Sequence, residues 1–301
     1  MSVEKLFSDA VGSGNFYKNE PMYKHSTFKT GGEAEYFVTP PTQKSIIKVL
    51  KIAEENSIPY VVIGNGSNIL VSDKGIKGLV VSFGKTLCDI KVNGNEITAG
   101  TGTLLTAIAS VALDNELKGF EFASGIPASF GGAIFMNAGA YMGEIKQVLK
   151  NVRVLTQNME IKNIDGDKLD LGYRYSNIKK NEYIVLEGTI KLQKGDKEEI
   201  KSLMADFNAR RRDKQPLNFP SAGSTFKRPE GYFAGKLVED CGLKGYSVGG
   251  AKVSEKHAGF VINTGNATTK DILEVIEHCK ETVYQKFGIC LECEVRMLGE
   301  F

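Results

Sequence analysis

Between the apolar runs Tyr60-Val61-Val62-Ile63 and Ile69-Leu70-Val71 lies Gly64-Asn65-Gly66-Ser67-Asn68, a stretch whose residue types suit an anion. Two glycines let the backbone come close to a diphosphate, successive N–H groups can form a concave nest, and Ser67 and Asn68 add side-chain donors. The same spacing also fits a simple tight turn after a strand, so both readings stand. A Rossmann dinucleotide loop would need glycine at position 69 and a helix opening there. Position 69 is Ile, and the LVSDKGIKG that follows is short and turn-rich, so that site is disfavoured. A second glycine-rich stretch, GFEFASGIPASFGGAIFMNAGAYMG from Gly119 to Gly143, is apolar enough to be buried. Its backbone N–H groups then need partners, and a polar ligand against this second wall is one source of them.

Other reactive residue types carry less. Cys290-Leu-Glu-Cys293 has C-x-x-C spacing, but ICLECEVRML alternates in polarity and reads as a strand, where residues three apart point to opposite faces. His25, His257 and His278 show no ligand spacing, so no metal is expected. Ser224 in AGSTFK reads locally as a turn serine, Glu294 as one rung of a surface ion-pair ladder with Glu292 and Arg296, and Arg210, Arg211, Arg212 and Lys214 as helix-end cations. Five cysteines, an odd number, fit reduced thiols in a cytoplasmic protein better than a disulfide framework.

The elements that must position these residues are those of an α/β chain. Ile46, Ile47, Leu50 and Ala53 have helical spacing within 43–56, followed by strands YVVIG and GLVVSF. IKVNGNEITAG reads as a hairpin turning at Asn93-Gly94, and 103–115 as a helix rich in alanine and leucine. VRVLT and YIVLEGTIKL are strands; the charged run from Lys194 to Glu199 is the best boundary, with an amphipathic helix over 200–212 behind it. Thr268-x-x-Asp271 resembles a capping box opening a helix with Ile272, Val275, Ile276, Cys279 and Val283 on its apolar face, and a strand over 289–298 ends the fold. Thirty-eight basic against 36 acidic side chains leave a net charge of +2, too little to attract nucleic acid or an anionic membrane. The N-terminal sequence is not a secretion signal, and no run of about 18 apolar residues predicts a membrane span.

Taken in order, TFKTGG from Thr27, GNGSNILVSD, SGIPASFGGAIFMNAGAYMGE, YRYS, PSAGSTFKRPEG, GAKVSEKHAGFVIN and LECEVRMLGE resemble the UDP-N-acetylenolpyruvoylglucosamine reductases over most of the chain. The resemblance implies an α/β (α+β) fold: a flavin-binding portion of vanillyl-alcohol-oxidase type in two α/β subdomains, 1–85 and 86–194, and a C-terminal α/β substrate domain, 195–301. It implies FAD held by Gly64, Asn65, Gly66, Ser67, Asn68, Ile69 and Leu70, and by Gly125, Ile126, Pro127, Ser129, Gly131, Gly132, Asn137, Gly139 and Ala140. It implies NADPH as reductant, Arg174, Ser224 and Glu294 as catalytic residues, and Tyr173, Arg174, Lys214 and Arg228 as substrate contacts. Ala128 and Cys293 stand where that family usually has Gly and Pro. Only a few residues separate Ser176 from YIVLEG, so the chain resembles the shorter branch, without the inserted tyrosine loop, and what closes its pocket is open.

The implied reaction reduces the enolpyruvyl ether of a UDP-sugar to UDP-N-acetylmuramate, a peptidoglycan precursor. Hydride goes from flavin N5 to the terminal vinyl carbon, leaving enolate character beside the carboxylate. Arg174 offers a planar fork matched to that carboxylate. Ser224 donates the proton, and Glu294 hydrogen-bonds the carboxylate or enol. The expected partner is a small UDP-sugar, without nucleic acid or membrane, for a monomer or weak oligomer. Two alternatives stay open: an FAD oxidase of the same fold acting on another alcohol or sugar, and a nucleotide-sugar binding protein without redox chemistry.

Overall fold

The computed structural model describes residues 1–84 and 86–301; Lys85, where the sequence reading ends its first subdomain, lies outside the described residues. Helix α1 (Val3–Val11) precedes strands β1 (Phe16–Pro21) and β2 (Glu33–Val38). Helix α2 (Gln43–Glu55) opens on a reciprocal cap: Thr42 Oγ1 accepts the Ser45 N–H at 3.1 Å and Ser45 Oγ accepts the Thr42 N–H at 3.0 Å. Of the face that helical spacing marks out, Ile46, Leu50 and Ala53 are buried, while Ile47 is half-buried and Val49 takes its place in the core. Strands β3 (Tyr60–Ile63), β4 (Ile69–Val71) and β5 (Ile76–Ser82) follow, so the glycine loop runs into a strand, not a helix. The sheet order is β1-β2-β5-β3, with β3 and β5 parallel and Tyr60 opposite Leu79.

Strands β6 (Ile90–Asn93) and β7 (Glu96–Gly100) form the expected hairpin. Its turn is centred on Gly94-Asn95, one place later than the sequence suggests, because Gly94 takes φ +61° at the first central position. Helix α3 (Leu105–Asp114), strand β8 (Leu117–Lys118) and helix α4 (Phe130–Met136) lead to the short hairpin of β9 (Gly139–Ala140) and β10 (Gly143–Glu144). Strands β11 (Leu149–Leu155) and β12 (Ile161–Asp165), helix α5 (Asn177–Lys180) and strands β13 (Ile184–Lys191) and β14 (Gln193–Lys194) complete this half. An antiparallel sheet of order β12-β11-β13-β7-β6 shares a core with α3 and α4 that includes the fully buried Ile97, Leu105 and Phe130.

Helix α6 (Lys197–Lys214) outruns the predicted 200–212 at both ends, and Ile200 is its one fully buried residue among those described. Glu198 and Glu199 in its first turn and the basic run at its far end both favour the helix dipole, which supports the added length. Helix α7 (Ala234–Asp240) and strands β15 (Ser247–Val248), β16 (Ala251–Val253) and β17 (Val261–Asn263) follow. Helix α8 (Thr269–Phe287) has the predicted capping box, Thr268 Oγ1 accepting the Asp271 N–H at 3.1 Å, and its expected apolar face is buried. The predicted strand over 289–298 shrinks to β18 (Arg296–Leu298), parallel to β4. Before it, the chain pairs singly at Cys293 with Phe226, an irregular link rather than a sheet.

The chain forms two compact units: residues 1–17, 37–65 and 79–211, and residues 18–36, 66–78 and 212–301. The second has its own core, in which Phe28, Leu70, Val253, Ile272 and Cys279 are buried together. Burial pushes the Cys279 thiol up to about 12, so it is an apolar filler and not a nucleophile.

Candidate active site

In the first unit, Gly64 and Asn65 meet the second glycine-rich stretch as the sequence suggests. Asn65 Nδ2 donates to the Pro127 carbonyl at 2.8 Å, and a Cβ at Gly64 would lie 2.0 Å from Ser129 Oγ. Ser129 is the N-cap of α4, yet its hydroxyl makes no cap bond; it is buried and lacks a partner. Thr103, which the sequence did not single out, presents a second buried hydroxyl of the same kind, and its carbonyl accepts the Phe130 N–H at 2.7 Å. Two orphaned hydroxyls beside the start of α4 are costly unless a polar ligand completes them.

The rest of that stretch is committed in different ways. Asn137 is fully buried, its Nδ2 donating to Glu144 Oε2 at 3.1 Å and to the Gly172 carbonyl at 3.0 Å, its Oδ1 accepting the Lys146 N–H at 2.9 Å. Gly139 and Ala140 lie on β9, whose turn at Tyr141 and Met142 takes φ +51° and +69°. The Tyr141 ring stacks on Phe207 of α6, centroids 4.5 Å apart. Gly125 lies against Asn208 and Arg211 of α6, and burial lowers the Arg211 pKa.

The YRYS motif is a tight turn. Gly172 and Tyr175 exchange backbone bonds of 3.0 and 3.2 Å, leaving Tyr173 and Arg174 at the tip. Arg174 has φ +54°, a left-handed backbone costing a side-chain-bearing residue about 1–2 kcal/mol. The Gly172–Asn137 bond and Ser176 Oγ donating to the Phe135 carbonyl at 2.7 Å hold the turn in that form. The guanidinium carbon lies 4.9 Å from the centroid of the exposed Tyr173 ring. A strained residue held by its surroundings is a common mark of a working site.

Ser224 and Glu294 belong to the second unit. Gly223 takes φ +77°, and Ser224 is exposed. Its neighbour Thr225 is fully buried and held three ways: its N–H donates to the Gly259 carbonyl at 2.8 Å, its Oγ1 accepts the Val261 N–H at 2.9 Å, and its carbonyl accepts the Glu294 N–H at 2.8 Å. That last bond sets the Ser224 and Glu294 segments side by side. The glycine loop joins them, since Asn68 Nδ2 donates to the Glu294 carbonyl at 3.2 Å and the Arg296 N–H donates to the Asn68 carbonyl at 3.0 Å. Gly66 is held from the other side: Thr27 N–H reaches its carbonyl at 3.1 Å, and a Cβ there would come 1.9 Å from the His25 carbonyl. Glu292, by contrast, is exposed and ion-paired to Lys227 at 2.9 Å, which holds its carboxyl below the usual range. Arg296 is half-buried, and burial lowers its pKa.

His257, set aside in the sequence because it has no ligand spacing, lies on the loop that supports Thr225. Its Nδ1 accepts the Gly259 N–H at 3.1 Å, so Nε2 carries the proton, and burial lowers its pKa and keeps the ring neutral. Lys214 is exposed at the end of α6. Arg228 lays its guanidinium 4.0 Å from the Phe233 ring centroid, and its Nε donates to the Tyr232 carbonyl at 3.3 Å. Among the described residues no three His, Cys, Asp or Glu side chains form a metal-binding group, and no helix is long and apolar enough to cross a membrane.

Comparison with known proteins gives the family of the chain. Residues 34–165 match a family model described as FAD binding domain, and residues 215–298 one described as UDP-N-acetylenolpyruvoylglucosamine reductase, C-terminal domain. The UDP-N-acetylenolpyruvoylglucosamine reductase of Clostridium perfringens (strain 13 / Type A) is 52% identical over 299 residues, 99% of this chain and 98% of that protein. That of Caldanaerobacter subterraneus subsp. tengcongensis is 50% identical over 298 residues, again 99% and 98%. The crystal structure of UDP-N-acetylenolpyruvylglucosamine reductase from Thermus caldophilus superposes with a TM-score of 0.79 at 32% identity, over 94% of this chain and 98% of that one. A 4-ethylphenol oxidase from Gulosibacter chungangensis, 14% identical with a TM-score of 0.51 over 97% of this chain and 64% of that one, shares the fold alone. With half its residues identical to such relatives along nearly its whole length, the chain belongs to the UDP-N-acetylenolpyruvoylglucosamine reductase family of FAD-binding oxidoreductases.

Proposed function

We propose that this chain reduces the enolpyruvyl ether of UDP-N-acetylglucosamine-enolpyruvate to UDP-N-acetylmuramate, with FAD as cofactor and NADPH as reductant, as a cytoplasmic step of peptidoglycan precursor synthesis. The observation that carries this reading is the 2.8 Å bond from the Glu294 N–H to the Thr225 carbonyl, which joins the segments bearing Ser224 and Glu294 in a chain of this family. We further propose that 1–85 and 86–194 serve as the flavin subdomains and 195–301 as the substrate domain.

The residues fit a flavin dinucleotide. The orphaned Ser129 and Thr103 hydroxyls and the unsubstituted face of Gly64 would suit the diphosphate of FAD at the start of α4. The chemistry that bound, reduced FAD would supply is hydride delivery to the terminal vinyl carbon. The protein does the rest. Arg174 grips the substrate carboxylate with its planar fork and offsets the negative charge growing beside it. Ser224 Oγ–H gives its proton to the carbon next to the carboxylate and, being exposed, regains one from water. Glu294 hydrogen-bonds the carboxylate or enol from the neighbouring segment. Tyr173, Lys214 and Arg228 hold the sugar nucleotide.

An anaerobic titration tests the reading. Purified protein should be yellow, NADPH should bleach it, and the enolpyruvyl sugar should restore the colour with one UDP-N-acetylmuramate per flavin. Rapid recovery with oxygen but none with the sugar would favour the oxidase, and colourless protein the binding protein. Ser129→Ala tests the cofactor wall separately. One charge-assisted hydrogen bond is worth about 1.5–3 kcal/mol, so FAD should bind roughly ten- to a hundredfold more weakly. The FAD-free protein should melt no lower, because the substitution removes an unsatisfied hydroxyl. Unchanged FAD affinity would remove Ser129 from the cofactor site.

A further inference from the structure

Helix α4 ends at Asn137, whose backbone is left-handed at φ +45° and ψ +56°. Glycine would hold that conformation without strain, so the asparagine side chain needs a reason of its own to be there. It is fully buried, and its surroundings fix which way the amide points. Two oxygens, Glu144 Oε2 at 3.1 Å and the Gly172 carbonyl at 3.0 Å, need donors, and the Lys146 N–H at 2.9 Å needs an acceptor. Both Nδ2 hydrogens are therefore spent on protein atoms. Gly172 opens the turn that carries Arg174 at φ +54°. The other anchor of that turn comes from the same place: Ser176 Oγ, also buried, donates at 2.7 Å to the carbonyl of Phe135, two residues before Asn137. One helix end thus grips the turn on both sides of Arg174. Glu144 is itself held, its N–H donating to Gln147 Oε1 at 3.0 Å and its carboxylate lying 3.6 Å from Lys146 Nζ. All of these residues lie in the first unit. Freed of its anchors, a left-handed arginine relaxes toward right-handed backbone and swings its side chain aside.

We propose that Asn137 is a positioning residue for Arg174: its amide, together with Ser176, clamps the turn in the left-handed form that aims the guanidinium at the substrate carboxylate. The proposal rests on the reading of Arg174 as the carboxylate contact.

Stopped-flow traces of the FAD-loaded protein test it. Asn137→Gly keeps the left-handed backbone and removes only the amide. Recovery of colour with the enolpyruvyl sugar should slow about ten- to a hundredfold, the usual cost of misplacing a group by about 1 Å. Ser176→Ala, a milder change, should slow the same step less. Bleaching by NADPH and the FAD dissociation constant should stay within about twofold of normal in both variants, a split that a general loss of structure would not give. Asn137→Asp adds a pH signature. Its carboxylate still accepts the Lys146 N–H but faces Glu144 in a buried site, which raises its pKa. That variant should be slow at alkaline pH and recover relative to the unaltered protein as pH falls, because the proton restores a donor. The deciding measurement is a double-mutant cycle with Arg174→Ala, where no guanidinium remains to be aimed. There, adding Asn137→Gly should cost less than about twofold in the second half-reaction. The same fold-loss in both backgrounds overturns the proposal, as does weakened FAD binding with the second half-reaction intact, which would make Asn137 a cofactor contact. Normal turnover of Arg174→Ala alone is a separate result: it overturns the reading of Arg174, and the positioning role with it.

Discussion

Ser224→Ala should leave bleaching of the flavin by NADPH at its normal rate while slowing recovery of colour with the enolpyruvyl sugar by at least about 10²–10⁴-fold, the usual worth of a placed general acid. The asymmetry follows from the chemistry, since a proton at the sugar carbon is needed only in the second half-reaction. The structure makes the substitution clean. Ser224 is exposed, Gly223 supplies the left-handed turn before it, and Thr225 is pinned by three hydrogen bonds that do not involve the Ser224 hydroxyl. Removing one oxygen should therefore not move the backbone. Ser224→Cys should fall between the two, because a thiol of pKa about 8.5 still donates but is larger and less well placed. Stopped-flow traces of both half-reactions decide the matter: equal slowing points to a disturbed pocket, and no slowing of the second takes Ser224 out of the mechanism.

Arg174→Lys should lower turnover about 10²–10³-fold despite keeping the charge, because the ammonium offers no planar fork to a carboxylate. Lysine meets the same left-handed backbone as arginine, so the comparison isolates the head group. Arg174→Gly supplies the control. Glycine accepts φ +54° without strain, so this variant should melt at the same temperature or higher while losing turnover at least as far as the lysine variant. A residue kept for structure alone would behave the other way, with the glycine variant less stable and the lysine variant active. Turnover close to normal for lysine at 174 would remove the YRYS turn from the reaction.

Much of this was legible in the chain because it is local. The Thr268 cap, the apolar face of α8 and the strand read from GLVVSF depend on residues a few places apart, whose hydrogen bonds and periodicity act within one element. Where local signals competed, they slipped. Alternating polarity over 289–298 suggested a full strand, but only 296–298 found a partner in β4, while Glu292 to Glu294 were drawn to the segment after Ser224. The hairpin turn moved by one residue because Gly94 takes the first central position, with Asn93 left paired to Glu96.

By itself, then, the sequence determined the element types, the glycine loop that is no Rossmann loop, and the ordered motifs bearing Arg174, Ser224 and Glu294. Only the tertiary structure decided what those residues lean on. Asn68 is bonded to Glu294 across 226 positions, and Asn137 to the Arg174 turn across 35. Two buried hydroxyls are left without partners beside α4. Such pairings carry no local signature. They are selected by which apolar faces bury together over the whole chain, and each hydrogen bond forms only after that burial has brought its partners within reach.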